Sequence, residues 1–227
     1  MEMLKRILLV LAFIVGASAP ALALDPENTL YIDLKDGRVV IEMLPQIAPK
    51  TVAHMKELAR KGFFDGTPIH RVIPGFMAQM GDPTGTGTGG SGTNIPAEFS
   101  NLRHERGTVS MARAESLNSA DSQFFICFAP APFLDGKYTI WGRVVDGMQF
   151  VDRIKPGDEA DNGMVLMPDH ITKVQVAADV FQARFRVAEG AEREAIWKQM
   201  SEMYPPFNAY QAATPRKIPV IVLEPAK

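Results

Sequence analysis

Two short segments of this chain contain the residues that could do chemistry, and both combine polar groups with apolar neighbours. The first, IHRVIPGFMAQMGD, places Arg71 close to Phe76, Met77 and Gln79. The second, SQFFICF, adds an aromatic pair within a run that is typical of a β-strand. A lone cation beside apolar walls, with neither an acid–base pair nor a metal-ligand set next to it, suits chemistry that makes or breaks no covalent bond.

Other reactive residue types fall in settings that suit neither catalysis nor metal binding. Four histidines show no metal-ligand spacing with one another or with the single cysteine: His54, His70, His104 and His170. His70 neighbours Arg71 on a predicted strand, so the two side chains point to opposite faces and a structural role is expected for the histidine. Ser91 lacks the G-x-S-x-G setting of a hydrolase nucleophile. The sequence therefore offers no convincing nucleophile.

A glycine-rich stretch, residues 81–92, formally matches the G-x-G-x-x-G pattern of dinucleotide sites at Gly85, Gly87 and Gly90. Such a site needs a strand before the glycines and a helix directly after them. Here the chain continues into Thr93-Asn94-Ile95-Pro96, which cannot open a helix cleanly. We expect a flexible loop that borders a substrate groove.

The elements that must position these residues are mostly short strands. Two β-like runs, residues 29–34 and 38–44, flank the hairpin signal Asp36-Gly37. Further strands are predicted at residues 68–72, 76–80, 107–112, 123–128 and 138–145, and within 165–176. Helical periodicity predicts helices at residues 48–61 and 147–154. Many short strands with two helices argue against a doubly wound α/β sheet and favour an antiparallel barrel or sandwich.

The strand at residues 123–128 alternates between two faces. One face carries Gln123, Phe125 and Cys127, and the other carries Phe124, Ile126 and Phe128. One face can build a site while the other builds the core, and its large side chains predict a filled interior rather than a barrel holding a small ligand. Cys127 cannot form an internal disulfide and is expected to be a buried small hydrophobe, with a catalytic thiol as the weaker alternative.

The first 23 residues are typical of a secretory signal peptide. Lys5-Arg6 precede an apolar run at residues 7–15, and small residues lead to Ala21-Leu22-Ala23. The run is far shorter than the ~20 residues needed to span a bilayer. We predict cleavage after Ala23 and a periplasmic or secreted protein, with an uncleaved amphipathic anchor as the alternative. We expect no later segment to span a membrane.

Composition predicts one folded domain with an appendage. The chain has 227 residues, of which 46% are apolar and 22% are charged. Removing residues 1–23 takes the 24 basic and 26 acidic residues to 22 and 25, a net charge of −3. A mildly acidic chain without a basic cluster is a poor candidate for nucleic-acid binding. We expect a main domain at residues 24–178 and a C-terminal extension at residues 179–227.

The extension is predicted to be partly helical, and its role is left unassigned. Ile196, Met200 and Met203 fall at i, i+4 and i+7, which indicates an amphipathic helix that Pro205-Pro206 ends. A strand-like run follows at residues 218–223.

Both segments that contain the candidate residues closely resemble the cyclophilins, the β-barrel peptidyl-prolyl cis–trans isomerases, and the resemblance covers residues 28–178. It implies a mainly β fold, a closed eight-stranded antiparallel barrel capped by two α-helices. It also implies isomerisation of X-Pro bonds in proline-containing polypeptides, by a monomer that needs no cofactor and assists the folding of exported proteins.

The resemblance also implies the site residues, through the motifs PGFMAQ, SMARA, SQFF and FLDGK. Arg71 would be the catalytic donor, and Gln79 would orient it or hydrogen-bond the substrate. The implied substrate-binding residues are Phe76, Met77, Ala112, Arg113, Gln123, Phe125, Phe133, Leu134 and Tyr138.

Three of these positions depart from the common family pattern. Arg113 stands where many members have an uncharged residue, and we expect it to favour acidic neighbours in the substrate. Phe133 replaces the tryptophan of many eukaryotic members and lacks its indole N–H, which predicts weak binding of the cyclic-peptide inhibitor cyclosporin. Tyr138 replaces a histidine and should preserve turnover.

The main alternative is a non-enzymatic holdase or scaffold that binds proline-containing segments in the same groove. Met200, Met203, Tyr204 and Phe207 of the extension could supply an adaptable apolar surface for it. Catalysis is favoured because binding alone does not require the aimed cation at Arg71.

Overall fold

The computed structural model of the protein describes residues 24–180, 183–203, 206–214 and 217–225. The predicted signal peptide, residues 1–23, lies outside the described residues, as do Tyr204 and Pro205. Of the helices that are described, none is both long enough and apolar enough to cross a bilayer.

Eight antiparallel strands form the main sheet, as the sequence predicts. They are β1 (Thr29–Leu34), β2 (Gly37–Met43), β3 (Arg71–Ile73), β4 (Met77–Met80), β5 (Thr108–Met111), β6 (Phe124–Cys127), β7 (Ile140–Asp146) and β8 (Lys173–Val176). Their order across the sheet is β3-β4-β6-β5-β7-β2-β1-β8. β1–β2 and β3–β4 are hairpin neighbours, whereas β2–β7 and β1–β8 pair distant parts of the chain. The order brings β3, β4, β6 and β5 side by side.

The strand ladder is open between β3 and β8, so the sheet is a curled half-barrel rather than the closed barrel that the resemblance implies. β3 is only three residues long because Pro74, which follows it directly, has no N–H to continue a ladder. Backbone hydrogen bonds from the segment at residues 157–171 span the gap instead. The N–H of Val72 donates to the carbonyl of Gly163 at 2.7 Å, and that of Ile69 to the carbonyl of Asp169 at 2.8 Å.

Helices α1 (Pro49–Arg60) and α2 (Met148–Val151) lie where the periodicity predicts them. α1 buries its apolar stripe, which includes Val52, Met55 and Leu58. The described residues also include three short 3₁₀ helices, at Pro26–Asn28, Pro132–Leu134 and Glu159–Asp161.

One face of the sheet packs into an inner cluster, centred on Phe64, Phe124 and Trp141. The ring of Phe124 meets the edges of both others, with centroids 5.8 Å from Phe64 and 5.5 Å from Trp141. These side chains fill the interior, as the large residues of the strand at 123–128 predict.

The opposite face of the same strands builds a smaller, outer cluster. Its buried members are Met77, Phe125, Cys127, Ala131 and Leu134. The predicted division of β6 into two faces is therefore confirmed, with Phe124 and Ile126 on one and Phe125 and Cys127 on the other.

The C-terminal extension contains α3 (Ala177–Val180), β9 (Ala183–Ala188), α4 (Gly190–Met203), α5 (Pro206–Ala212) and β10 (Val220–Pro225). β9 and β10 pair antiparallel in a two-stranded ribbon of their own. The predicted strand at residues 218–223 is present but begins two residues later, after Pro219.

The predicted apolar stripe of α4 is only partly buried, because Ile196 and Met200 are half-buried and Met203 is not. Met203 is 73% exposed, and the buried residues of this helix are Arg193 and Ser201. Arg193 donates to the carbonyl of Ile218 at 2.7 Å, and its guanidinium lies 5.0 Å from the ring centroid of Trp197. The buried side of α4 therefore includes a cation, Arg193, which is stabilised by a carbonyl oxygen and an aromatic ring.

Candidate active site

Register places the candidate catalytic residues in one row across neighbouring strands. Arg71 of β3 pairs with Gln79 of β4, Gln79 pairs with Phe125 of β6, and Phe125 pairs with Ser110 of β5. Residues that are directly opposite in an antiparallel pair point to the same face. The two predicted segments therefore meet on one surface of the sheet.

A directional chain of hydrogen bonds runs from Arg71 along this surface. Its Nη1 donates to Oε1 of Gln79 at 3.1 Å, and Nε2 of Gln79 donates to Oε1 of Gln123 at 2.8 Å. Nε2 of Gln123 ends the chain on the carbonyls of Gly87 and Gly89, at 3.0 and 2.8 Å. The guanidinium can only donate and the two carbonyls can only accept, so both amides have one possible orientation.

The glycine-rich loop at residues 81–92 is anchored through Asp82 and borders the groove, as expected. The buried carboxylate accepts hydrogen bonds from the N–H groups of Thr84, Gly87 and Gly89, at 2.7, 2.7 and 3.0 Å, and from the Thr84 hydroxyl. Burial alone would raise the pKa of Asp82, but these hydrogen bonds outweigh it and lower the pKa below its usual value. The expected flexible loop thus has its own internal anchor.

The loop lines one wall of a groove of about 470 Å³. The other residues that line it include Gln79, Ala112, Arg113, Asp121 and Gln123. Ala112 and Gln123, which the resemblance places at the substrate, therefore share one cavity with Gln79.

Asn162, which belongs to none of the sequence motifs, holds the other side of Arg71. Nε of Arg71 donates to the backbone carbonyl of Asn162 and Nη2 donates to its side-chain Oδ1, both at 2.9 Å. Three of the five guanidinium N–H groups are thereby used, and two have no acceptor among the described residues. Burial lowers the pKa of Arg71 from its usual value, yet an arginine side chain stays charged.

The outer cluster forms an apolar seat next to this polar row. Ile73, Phe76, Ala112 and Tyr138 pack against its buried members and are themselves half-buried. The Phe125 ring meets that of Tyr138 edge-on, with centroids 6.1 Å apart. The structure therefore brings Phe76, Ala112 and Tyr138 together with Met77, Phe125 and Leu134 at one place.

Phe133 lies at the open side of this seat. Its side chain is 60% exposed, and its ring centroid is 5.3 Å from that of Phe76. Phe133 is thus free to contact a ligand that enters over Phe76.

Arg113 is tied down rather than free. It donates to the carbonyls of Ala114 and Glu115 through Nη1, at 2.9 and 3.1 Å, and to that of Lys137 through Nε and Nη2, at 3.3 and 3.2 Å. Its guanidinium also stacks 4.7 Å from the ring centroid of Tyr138. Because main-chain acceptors already occupy this cation, the expected preference for acidic substrates loses its main physical support.

A buried polar group supports the outer cluster from below. His104 stacks on Phe125 at 6.2 Å, and its ring nitrogens lie 2.9 Å from Oδ1 of Asp135 and 3.1 Å from Oγ of Ser110. Hydrogen bonds from the backbone N–H and the ring of His104 lower the pKa of Asp135. The set resembles a hydrolytic triad in its distances, but Ser110 is fully buried and donates to the Thr139 carbonyl at 2.9 Å. It cannot reach a substrate, and its role is structural.

Cys127 is fully buried in the outer cluster. Burial raises the pKa of its thiol to about 12, so the reactive thiolate is scarce at neutral pH. The prediction of a small buried hydrophobe is confirmed.

Comparison with protein families matches residues 29–176 to the model described as cyclophilin type peptidyl-prolyl cis-trans isomerase/CLD. Residues 166–225 match a second model, F420H(2)-dependent quinone reductase. The second match covers about a quarter of the chain and overlaps the first through β8, so it does not by itself show a family.

Individual relatives agree with the first match. A probable peptidyl-prolyl cis-trans isomerase of Brucella suis is 49% identical over 194 residues, covering 79% of this chain and 99% of the relative. The crystal structure of a cyclophilin from Hirschia baltica is similar with a TM-score of 0.63 and 27% identity, over 72% of this chain and 79% of that one. A cyclophilin type isomerase of Cryptosporidium parvum, crystallised in the presence of the dipeptide Ala-Pro, has a TM-score of 0.60 and 30% identity, over 65% and 98% of the two chains.

Proposed function

Because the chain belongs to the cyclophilin-type peptidyl-prolyl cis-trans isomerases, we propose that Arg71 is the group with which it catalyses rotation about X-Pro bonds. The main support for this proposal is the hydrogen-bonding pattern of the Arg71 guanidinium. Gln79 and Asn162 hold three of its N–H groups, and two are left for a substrate beside the outer cluster.

The physical basis is the electronic change that rotation brings about. Resonance gives the peptide C–N bond partial double-bond character and a barrier of ~18–20 kcal/mol, and uncatalysed exchange takes ~10–100 s. As the bond twists, the proline nitrogen becomes pyramidal and gains a lone pair that accepts a hydrogen bond. A donor that waits there stabilises the twisted state more than the planar ones, and this difference is what lowers a barrier. A ~10⁵-fold gain needs only about 7 kcal/mol.

The outer cluster is proposed as the seat of the proline ring. Met77, Phe125 and Leu134 form its buried floor, and Phe76, Phe133 and Tyr138 stand at its rim. The groove lined by Ala112, Arg113 and Gln123 would take the residue before proline. The Ala-Pro dipeptide present with the Cryptosporidium parvum relative supports a ligand of this size and kind.

The decisive experiment removes the donor. Arg71→Ala should lower kcat/KM in a protease-coupled assay on an Ala-Pro peptide by ~10²–10³-fold, as the loss of one aimed donor does in other enzymes. Arg38→Ala is the matched control, since Arg38 is a half-exposed arginine paired with Asp33 on the β1–β2 hairpin. Turnover of Arg71→Ala within threefold of the parent would remove Arg71 from the mechanism.

We also propose that the enzyme acts on exported proteins, as a monomer, in the periplasm or outside the cell. The support is the basic and apolar leader with its Ala21-Leu22-Ala23 site. Mass measurement of the chain isolated from its host would test this: a mature protein that starts at Leu24 is expected, and an intact residue 1 would contradict it.

We also propose that residues 157–171, called the strip below, hold together the gap between β3 and β8, called the seam. Their carbonyl and N–H groups form hydrogen bonds with the backbone of Ile69 and Val72 beside this gap.

A chaperone-like holdase is the second candidate function, and exposed apolar side chains in the extension favour it. Val187 is 50% exposed and Met203 is 73% exposed. Replacing both with serine should reduce suppression of aggregation of an unfolded client while kcat/KM on the peptide stays unchanged. Equal suppression by parent and variant would count against the holdase.

A further inference from the structure

Asn162 contacts the edge of Arg71 that Gln79 does not reach. Its backbone carbonyl accepts from Nε and its amide Oδ1 accepts from Nη2, each at 2.9 Å. One residue therefore receives both N–H groups on one side of the guanidinium, which is the bidentate arrangement that a carboxylate usually provides.

The backbone around Asn162 is fixed to β3, so these two oxygens have a defined position. The carbonyl of Gly163 accepts the N–H of Val72 at 2.7 Å, and the N–H of Gly157 donates to the carbonyl of Val72 at 3.0 Å. Asn162 itself has φ 50° and ψ 30°, in the left-handed region. Asparagine and aspartate enter that region more readily than other residues with a side chain, and glycine enters it freely.

The charge of the acceptors distinguishes this contact from an ion pair. A carbonyl and an amide oxygen orient the guanidinium but leave its positive charge uncompensated. A carboxylate in the same place would form charge-assisted hydrogen bonds and hold that charge for itself. Gln79, the third contact of Arg71, is neutral as well.

We propose that Asn162 is a positioning residue of the isomerase site: it holds the Nε and Nη2 edge of Arg71 with two neutral oxygens, so that the free N–H groups stay aimed at the substrate and the charge stays available. This inference rests on the proposed catalytic role of Arg71.

Two substitutions separate the orientation of the Arg71 guanidinium from the compensation of its charge. Glycine and aspartate can both adopt the left-handed backbone of Asn162. Asn162→Gly removes Oδ1 and keeps the carbonyl, and it should lower kcat ~3–10-fold, about one hydrogen bond's worth. Asn162→Asp keeps the geometry and adds a negative charge, and it should lower kcat ~10–100-fold. KM should change less than twofold in both variants because the outer cluster is untouched.

Thermal unfolding supplies a readout that a purely structural role would move the other way. Asn162→Asp creates an ion pair with Arg71, so its Tm should equal or exceed that of the parent although its kcat falls. Met167→Gly is the matched control, since Met167 also has a positive φ, 52°, and its side chain is 85% exposed. Its kcat should equal that of the parent.

The outcomes separate this inference from the proposed function. Loss of activity in Arg71→Ala together with parental kcat in both Asn162 variants would overturn the positioning role and leave Arg71 in place. Parental activity of Arg71→Ala would overturn both. An Asn162→Asp variant that is more active than Asn162→Gly would overturn the argument from charge. Should Asn162→Asp fail to fold, kcat of Asn162→Gly within twofold of the parent would by itself overturn the role.

Discussion

The two faces of β3, β4, β6 and β5 are made from alternating residues of the same strands, yet they have opposite character. The inner face is apolar and closed, with Val72, Ala78, Phe124 and Ile126 fully buried. The outer face combines apolar floor residues with a row of hydrogen-bonded polar groups that starts at Arg71. Neighbouring residues in the sequence therefore belong to the closed core on one side and to the proposed substrate face on the other.

Burial alone therefore does not distinguish a proposed site residue from a core residue. Phe124 and Phe125 are adjacent and both buried, but only Phe125 belongs to the outer cluster. The outer face differs from the inner one because it carries a chain of hydrogen-bonded polar side chains that leads from Arg71 to the groove beside the glycine-rich loop. Substitutions that treat the two faces alike should therefore give unlike results.

The largest effect is expected from the adjacent phenylalanines. Phe124→Ala should lower the free energy of unfolding by ~3–5 kcal/mol, since it empties the centre of the inner cluster, while the folded fraction keeps near-parental kcat/KM. Phe125→Ala should lower the free energy of unfolding less and kcat/KM much more, by ~10-fold or beyond. Chemical denaturation and the peptide assay on both variants measure this contrast. Equal losses of activity per folded molecule in the two variants would contradict the assignment of different roles to the two faces.

The next effect concerns neighbours on β4. Gln79→Leu removes the oxygen that accepts from Arg71 and should lower kcat/KM ~10-fold, because the guanidinium loses one of its three contacts. Met80→Leu, on the inner face, conserves volume and should change stability by less than ~1.5 kcal/mol without affecting turnover. A loss of turnover in Met80→Leu would show that the inner face also controls the site.

A smaller effect, dependent on pH, is expected from His70, which is buried beside Arg71 and has no hydrogen-bond partner for either ring nitrogen among the described residues. Burial lowers its pKa in the folded state, against the opposing influence of Asp82. The stability that neutral His70 contributes is fully present at a pH above its pKa in the unfolded chain, about 6.5. It falls as the pH drops below that value, since the unfolded chain then takes up a proton that the folded chain does not, by at most ~1.4 kcal/mol per pH unit.

Denaturation at pH 7.5, 6.5 and 5.5 measures this slope. His70→Leu should flatten it, because the titrating group is gone. An unchanged slope in that variant would assign the pH dependence to other groups.

The smallest effect on turnover is expected at the rim. Phe133→Trp adds an indole N–H at a position that is already exposed, so kcat/KM should stay within about twofold. Inhibition by cyclosporin should become stronger, as the resemblance to eukaryotic members implies. Tight stoichiometric inhibition of the unmodified protein would contradict the expectation.

Much of the fold follows from local pattern. The period-two alternation at residues 123–128 predicts both faces of β6, and the helical spacing of Val52, Met55 and Leu58 predicts α1. Arg71, Gln79 and Phe125 also fall together because each motif lies on a strand of this sheet. Here local propensity and tertiary packing agree.

The remainder depends on contacts between distant segments. Asn162 reaches Arg71 through pairing of residues 157–164 with β3, and the Asn-Gly dipeptide signals only a turn. The open seam likewise depends on how far β3 can extend beside Pro74. In α4, the periodicity of Ile196, Met200 and Met203 does not reveal that Arg193 takes the buried position through the Ile218 carbonyl.

The part of the strip at residues 157–164 also limits how a polypeptide can approach β3. Unprotected edge strands recruit extended chains by main-chain pairing, which leads to strand addition or aggregation. β3 is such an edge, but the backbone of Val72 is already bonded on its outward side to Gly157 and Gly163. An incoming chain cannot be captured there as an additional strand. Binding at the outer cluster is therefore expected to rely on side chains of the polypeptide and not on pairing with β3, so that dissociation would require no strand to separate from the sheet.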